Sequence, residues 1–333
     1  MKKRGIGIAA VEYPTGFSSG GDSSQAMVKV RPDGSADLYI GSVDLGQGCK
    51  TVFAQMTAEE LGIEFEDVTV VDQDTDTSPL CAITGASRVT YTAGIAVVRA
   101  AREAAEIMRE VAAGELEASP EDLVCSRGKI WVRDEPARWV TFGHIAYRAN
   151  YHERKLVVGR GHYMPDYSVI DPETGASDHF RTMAWGATLA EVEVDTETGQ
   201  VEVLRLVSAY DAGKAINPLL VEGQIEGGAV MGLGATLMED LYPYYPRTDW
   251  QASNFGTYML PTALDVTDDL QSDILECPST DGPYGAKGIG EMTGNSGSPA
   301  VVNAIHDALG VWIDALPVTP EKVLRALEQK ERR

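Results

Sequence analysis

The chain has 333 residues, of which 44% are apolar and 23% charged, and its 50 acidic against 28 basic side chains leave a net charge of −22. That length supports a large core and two domains. That charge repels phosphate backbones and anionic bilayers, so neither nucleic acid nor membrane is an expected partner. No apolar run approaches bilayer-spanning length. Met1 to Arg4 followed by Gly5 to Val11 imitates a leader peptide, but the apolar part stops at Glu12 with no small-residue cleavage site, so the stretch reads as a first strand.

Four cysteines, Cys49, Cys81, Cys125 and Cys277, lie far apart with no Cys-x-x-Cys pair. Reduced thiols in a cytoplasmic protein follow from that scatter. The histidines, His144, His152, His162, His179 and His306, show no metal-ligand spacing and read as structural.

Residues 26–31 and 36–40 flank Pro32-Asp33-Gly34 and predict a hairpin. The loop before it, Tyr13 to Gly21, is glycine-rich yet carries Tyr13 and Phe17, as pocket-lining loops do. Asp44-Leu45-Gly46-Gln47-Gly48 opens a helix through Leu61, with Phe53, Met56 and Leu61 on one side. A strand follows at 67–72. Thr84-Gly85-Ala86-Ser87 then leads into a helix over 88–113, where Val98, Ala101, Ala105 and Met108 share a face.

Residues 128–132 predict a strand, 141–148 a short helix, and 160–175 an irregular excursion, with a domain boundary in this region that divides the chain into 1–150 and 151–333. Period-two alternation over 187–194 and 201–207, joined by a turn containing Gly199, predicts a hairpin. A helix runs from Leu219 to Met238. It holds five glycines, at roughly 1 kcal/mol each against alanine, so something must pack directly on its backbone. Tyr242 to Tyr258 is an aromatic loop, 298–305 has helical spacing, and Thr319-Pro320 caps a last helix.

Between these elements lie four small, donor-rich turns: 46–48, 84–88, 223–228 and 285–291. Gly285-x-x-Gly288-x-Gly290 is not the dinucleotide fingerprint. Lys287 lacks the context of a triphosphate-binding loop, and Gly294-Asn295-Ser296-Gly297 misses the spacing of a nucleophile elbow. Only the last of the four turns ends in a carboxylate, Glu291. Such a set suits a large, phosphate-bearing cofactor held by backbone amides, with one base beside it.

These motifs, together with Asn217-Pro218 and Glu222-Gly223-Gln224-Ile225-Glu226-Gly227, resemble the molybdenum hydroxylases of the xanthine dehydrogenase family, in that family's order and over almost the whole chain. The likeness is to the C-terminal part of an undivided molybdopterin subunit, so the chain is expected to be one half of a split subunit, similar to the medium molybdopterin subunits of nicotinate dehydrogenases. The resemblance implies an α/β (mixed α+β) fold, two domains of mixed β-sheets flanked by helices. It implies a molybdopterin cofactor in its cytosine dinucleotide form, carrying molybdenum and shared with a larger molybdopterin subunit. Iron–sulfur and FAD subunits would hold [2Fe-2S] clusters and FAD. By the same likeness Glu291 is the catalytic base, and Gly46, Gln47, Gly48, Thr84, Gly85, Ala86, Ser87, Gln224, Gly288 and Gly290 bind the cofactor. Tyr13 and Phe17 hold a small heteroaromatic substrate, nicotinate-like or purine, hydroxylated with water as oxygen source. Two readings stay open beside it: a non-catalytic half that completes another subunit's fold, and an independent nucleotide-binding protein.

Overall fold

The computed structural model describes residues 1–17, 21–166, 171–175, 180–241 and 254–332. His179, most of the 242–258 aromatic loop and parts of the loops at 13–21 and 160–175 lie outside them. In chain order the elements are β1 (Lys2–Pro14), β2 (Ser24–Val30), β3 (Ala36–Ile40), α1 (Cys49–Leu61), β4 (Val68–Val70) and α2 (Gly94–Leu116). There follow β5 (Leu123–Ser126), β6 (Lys129–Val132), β7 (Glu135–Thr141), α3 (Phe142–Tyr151) and β8 (Val158–Tyr163). The chain ends with β9 (Met183–Asp195), β10 (Val201–Asp211), α4 (Pro218–Leu237), β11 (Leu270–Leu275), α5 (Gly297–Leu309) and α6 (Pro320–Glu331).

They form two compact units, each of mixed sheet and helix and each assembled from separated stretches of chain. One contains 14–182 and 278–288; the other contains 1–13, 183–277 and 289–333. A division at residue 150 therefore does not coincide with them: β1, from the first stretch, is the neighbour of β9, from the second.

In the 14–182 unit a sheet of order β4-β3-β2-β8 packs on α1 and α2, and β5-β6-β7 forms a smaller antiparallel sheet beside α3. The expected hairpin is present, with Val28 opposite Leu38. Phe53, Met56, Leu61 and Met108 are buried as their spacing requires, each worth about 1.5–3 kcal/mol of burial. Residues 158–163 depart from expectation. They form a regular strand paired with β2, not an irregular excursion. The glycines that obscured it serve packing: a Cβ at Gly161 would sit 1.7 Å from the Ala96 carbonyl oxygen, so α2 lies directly on the strand backbone.

In the other unit the sheet order is β1-β9-β10-β11, with β10 antiparallel to β9 and parallel to β11. Ala190, Val192, Val194, Val203 and Leu206 bury one face of it against α4, α5 and α6. Glycine-backed packing recurs here, since a Cβ at Gly7 would meet the Ala300 carbonyl oxygen of α5 at 2.2 Å.

No helix among the described residues is long and apolar enough to cross a membrane.

Candidate functional site

In the 14–182 unit the predicted loops are braced mainly by their own side chains. The Asp44 carboxylate accepts from the N–H groups of Gly46 (2.9 Å), Gly48 (3.2 Å) and Lys50 (3.2 Å), thereby capping α1. Burial pushes the Asp44 carboxyl up, but these N–H donors outweigh it and hold it below the ordinary carboxylate value. Gln47 closes the same loop: its Oε1 accepts from Leu45 N and its Nε2 donates to Val43 O. Gly48, at φ 81°, turns the chain into the helix. Thr84 Oγ1 accepts from Val43 N at 2.9 Å and so ties the 84–87 loop to the 43–48 loop.

Ala86 and Ser87 follow with φ of 55° and 47°, two successive non-glycine residues in left-handed backbone. Strain of that kind persists where surrounding contacts over-determine it. Two such contacts are present: Gly16 N donates to Ala86 O at 3.0 Å, and Gly288 lies so close that a Cβ there would be 1.5 Å from Ser87 O. Phe17, half-buried, is the next residue after Gly16.

Directly behind Ser87 is a residue that motif reasoning did not single out. Arg88 is fully buried, pairs with buried Asp22, donates to Ser24 Oγ, and reaches Ile83 O at 2.7 Å and Cys81 Sγ at 3.2 Å. A buried guanidinium needs this many acceptors to repay its desolvation. Its effect is to clamp 81–88 to the start of β2.

In the other unit, Tyr13, Gln224, Gly290 and Glu291 come together. Tyr13, at the end of β1, donates its phenol hydrogen to Glu291 Oε2. Burial first, and the Glu291 carboxylate second, push the Tyr13 phenol well above its ordinary value, so it stays protonated and remains the donor. Gln224 of α4 lies against Gly290, where a Cβ would be 3.6 Å from Gln224 Oε1. The turn carrying Glu291 stands on a buried cluster of Ala184, Tyr210, Ala212, Ile225, Ile289 and Met292.

Under that turn runs a hydroxyl network that alternation in β9 and β10 hides, because its members occupy ordinary inward positions. Tyr210 Oη donates to Thr293 O at 3.0 Å and lies 2.5 Å from Ser296 Oγ. Thr188 Oγ1 reaches Ser296 Oγ at 2.8 Å and Ser208 Oγ at 3.0 Å. Two residues that follow Glu291 are thus tied to the sheet.

The five glycines of α4 divide into two sets. Gly228 lies against Thr293, Gly232 against Gly297 and Ser298, and Gly234 against Pro261, as their helix cost required. A Cβ at Gly223 or Gly227, one turn apart and flanking Gln224, would meet nothing within 4 Å among the described residues. Their backbone is bare toward open space.

The structure therefore divides the predicted residues. Gly46, Gln47, Gly48, Thr84, Gly85, Ala86, Ser87, Gly288 and Phe17 belong to one unit, and Tyr13, Gln224, Gly290 and Glu291 to the other. The four cysteines are free, and burial pushes the Cys49 thiol up to about 12 and the Cys125 thiol up to about 11. Among the described residues no cluster of His, Cys, Asp and Glu could hold a metal ion directly.

Residues 1–267 match the family model described as "Molybdopterin cofactor-binding domain". The chain is 32% identical over 327 residues to the 6-hydroxypseudooxynicotine dehydrogenase complex subunit gamma of Paenarthrobacter nicotinovorans, covering 97% of this chain and 39% of that one. It is 35% identical to the nicotine 6-hydroxylase large subunit of the same organism, covering 98% and 40%. The crystal structure of quinoline 2-oxidoreductase from Pseudomonas putida 86 superposes with a TM-score of 0.86 at 28% identity, covering 98% of this chain and 42% of that chain. The chain thus spans about two fifths of the length of the relatives it matches.

Proposed function

Since this chain belongs to the molybdopterin cofactor-binding domain family, among the molybdopterin-binding subunits of the xanthine dehydrogenase family, we propose that it is the base-bearing part of a heteromeric molybdenum hydroxylase. The observation that carries this reading is the grouping of Glu291, Tyr13 and Gln224 beside the bare backbone of Gly223 and Gly227. Glycine in mid-helix costs about 1 kcal/mol against alanine, and at these two positions no packing among the described residues accounts for it. A flat ligand lying on the helix does.

The residues present fit a pterin. Gly223, Gly227 and Gly290 leave room for close approach, and Gln224 offers an amide. The cytosine dinucleotide form of the cofactor belongs to the same proposal. When bound, the molybdenum group would supply two-electron oxidation of an electron-poor ring carbon, with oxygen drawn from water.

This chain's own residues handle the proton. Glu291 accepts it at the carboxylate, and Tyr13 holds that carboxylate by Oε2 and fixes its orientation. The high proton affinity of the Tyr13 phenol keeps the two roles separate. The Thr188, Tyr210 and Ser296 hydroxyls keep the turn beneath Glu291 from shifting.

The substrate class we propose is a small N-heteroaromatic, nicotinate-like or purine. Support comes from the relatives, whose names specify nicotine and quinoline and, for a 32% identical molybdenum-binding subunit of Escherichia coli O157:H7, xanthine. Tyr13 and Phe17 are proposed to line the ring site. A larger molybdopterin subunit, an iron–sulfur subunit with [2Fe-2S] clusters and an FAD subunit complete the proposed assembly, in the cytoplasm. The test is Glu291→Gln in the purified assembly. Molybdenum and pterin content should match the parent while turnover of nicotinate and xanthine is lost. Parental turnover would favour a non-catalytic, fold-completing role.

A further inference from the structure

One face of the β1-β9-β10-β11 sheet is buried under helices, and the residues between those buried positions point the other way. On that outer face stand Ile6 and Ile8 of β1, Trp185 and Leu189 of β9, and Val207 of β10, which is the register partner of Leu189. Ile6 is 54% exposed, Ile8 61% and Trp185 52%. A sheet face that looks at water alternates to polar side chains, whereas strands apolar on both faces are covered on both. On β1 the charged groups stand at the ends of this face, Glu12 at one and Lys2 and Arg4 at the other, where they pair with Glu193 at 2.6 and 3.1 Å. Ile6 and Ile8 between them carry no charge, nor do Trp185, Leu189 and Val207 beside them. A contiguous apolar area of this kind marks an interaction surface.

The geometry also decides how the surface is met. On the open edge of β1, Ile6 N donates to Asp307 Oδ2 at 3.0 Å and Ile8 O accepts from Asn303 Nδ2 at 2.9 Å, both from α5. Those backbone groups are occupied, so strand addition at this edge is blocked and the partner lies flat on the sheet.

We infer that this face is covered by the remaining portion of the molybdopterin-binding body, carried on a companion polypeptide. This occupant follows from the function proposed above and from one further fact. Over 98% of its length the chain superposes on only 42% of the quinoline 2-oxidoreductase chain, so the matched fold is a segment of a larger body. The occupant sought is therefore apolar at its centre and uncharged where it meets Ile6, Ile8 and Trp185.

The experiment uses the native assembly purified through a tag on this chain, with the photo-crosslinker p-benzoylphenylalanine at Ile8 or Trp185. A control carries it at exposed Glu135 in the other unit. Crosslinked peptides are identified by mass spectrometry. Positions 8 and 185 should join a companion whose sequence matches the rest of a molybdopterin-binding subunit, and position 135 should not join the same peptides. Crosslinks to a second copy of this chain, to its own residues 14–182, to an iron–sulfur or flavin subunit, or to nothing, in an assembly that carries pterin, would overturn the inference. An assembly without pterin would overturn the functional reading itself, and the inference with it. As a second measurement, Ile6→Asp with Ile8→Asp should lower recovery of the companion at least tenfold while the circular dichroism of this chain is unchanged. Parental recovery would overturn it.

Discussion

Tyr13 Oη donates a hydrogen bond to Glu291 Oε2 across 278 residues of sequence, joining the end of the first strand to the last residue of the glycine-rich loop. Both residues belong to one compact unit, so their pairing is a property of that unit alone. A carboxylate held this way has its direction set before any ligand arrives.

Tyr13→Phe keeps the ring on its apolar cluster and removes only that hydrogen bond. Hydrogen bonds to charged groups contribute about 1.5–3 kcal/mol, so kcat should fall about 10- to 100-fold. Molybdenum content should be unchanged. Steady-state kinetics with metal analysis of the same sample checks both.

Tyr210→Phe breaks the hydroxyl network under the Glu291 turn and leaves Thr293 O and Ser296 Oγ short of a partner. A buried group left unsatisfied costs about 1–3 kcal/mol. The expected result is a lower thermal midpoint for the assembly, accompanied by a loss of turnover that Ser208→Ala, at the far end of the network, does not reproduce in size.

Gly227→Ala and Gly288→Ala should part company. At Gly227 a methyl group meets open space, so the helix should gain about 1 kcal/mol of stability while pterin content drops. At Gly288 the methyl group would overlap the Ser87 carbonyl, so soluble yield itself should fall. Yield, melting temperature and released pterin, measured side by side, separate the two outcomes.

Asp44 sets a pH dependence. Its carboxyl is held below the ordinary value of 3.8 by the Gly46, Lys50 and Gly48 N–H groups. A depressed folded value means the stabilisation is fully present above the unfolded value and is lost as pH falls through the folded one. The amides of residues 46–50 should therefore keep their protection from hydrogen exchange above pH 3.8 and lose it progressively as the pH falls below that value. Asp44→Ala should remove about 1 kcal/mol at neutral pH and abolish that dependence.

Much of this was legible in the sequence because periodicity reports directly on packing. The 201–207 alternation became β10 and the 88–113 pattern became α2. Where glycine serves close approach instead of a turn, the pattern misleads: Gly159 and Gly161 disguised β8 as a loop because the helix that lies on them is remote in sequence. The glycine motifs and Glu291 were visible as residue types, but their supports were not. Arg88 opens the 88–113 helical pattern in the sequence, and only the fold brings Asp22 and Ser24 around it. Thr188 reads as an ordinary strand residue, and Ser208 and Tyr210 lie just past the predicted 201–207 strand, until register aligns them beneath residues 293 and 296. Gly46 and Gly48 offered themselves as bare amide donors, yet Asp44, four residues or fewer away, takes both N–H groups.

The account turns on whether a pterin lies on the bare face of α4 with Glu291 turned toward it. Electron cryo-microscopy of the purified assembly measures this most directly. The expected map shows pterin density against Gly223, Gln224 and Gly227 with the Glu291 carboxylate facing it. A map with that helix face covered by protein, or with Glu291 directed into bulk water, would contradict the account.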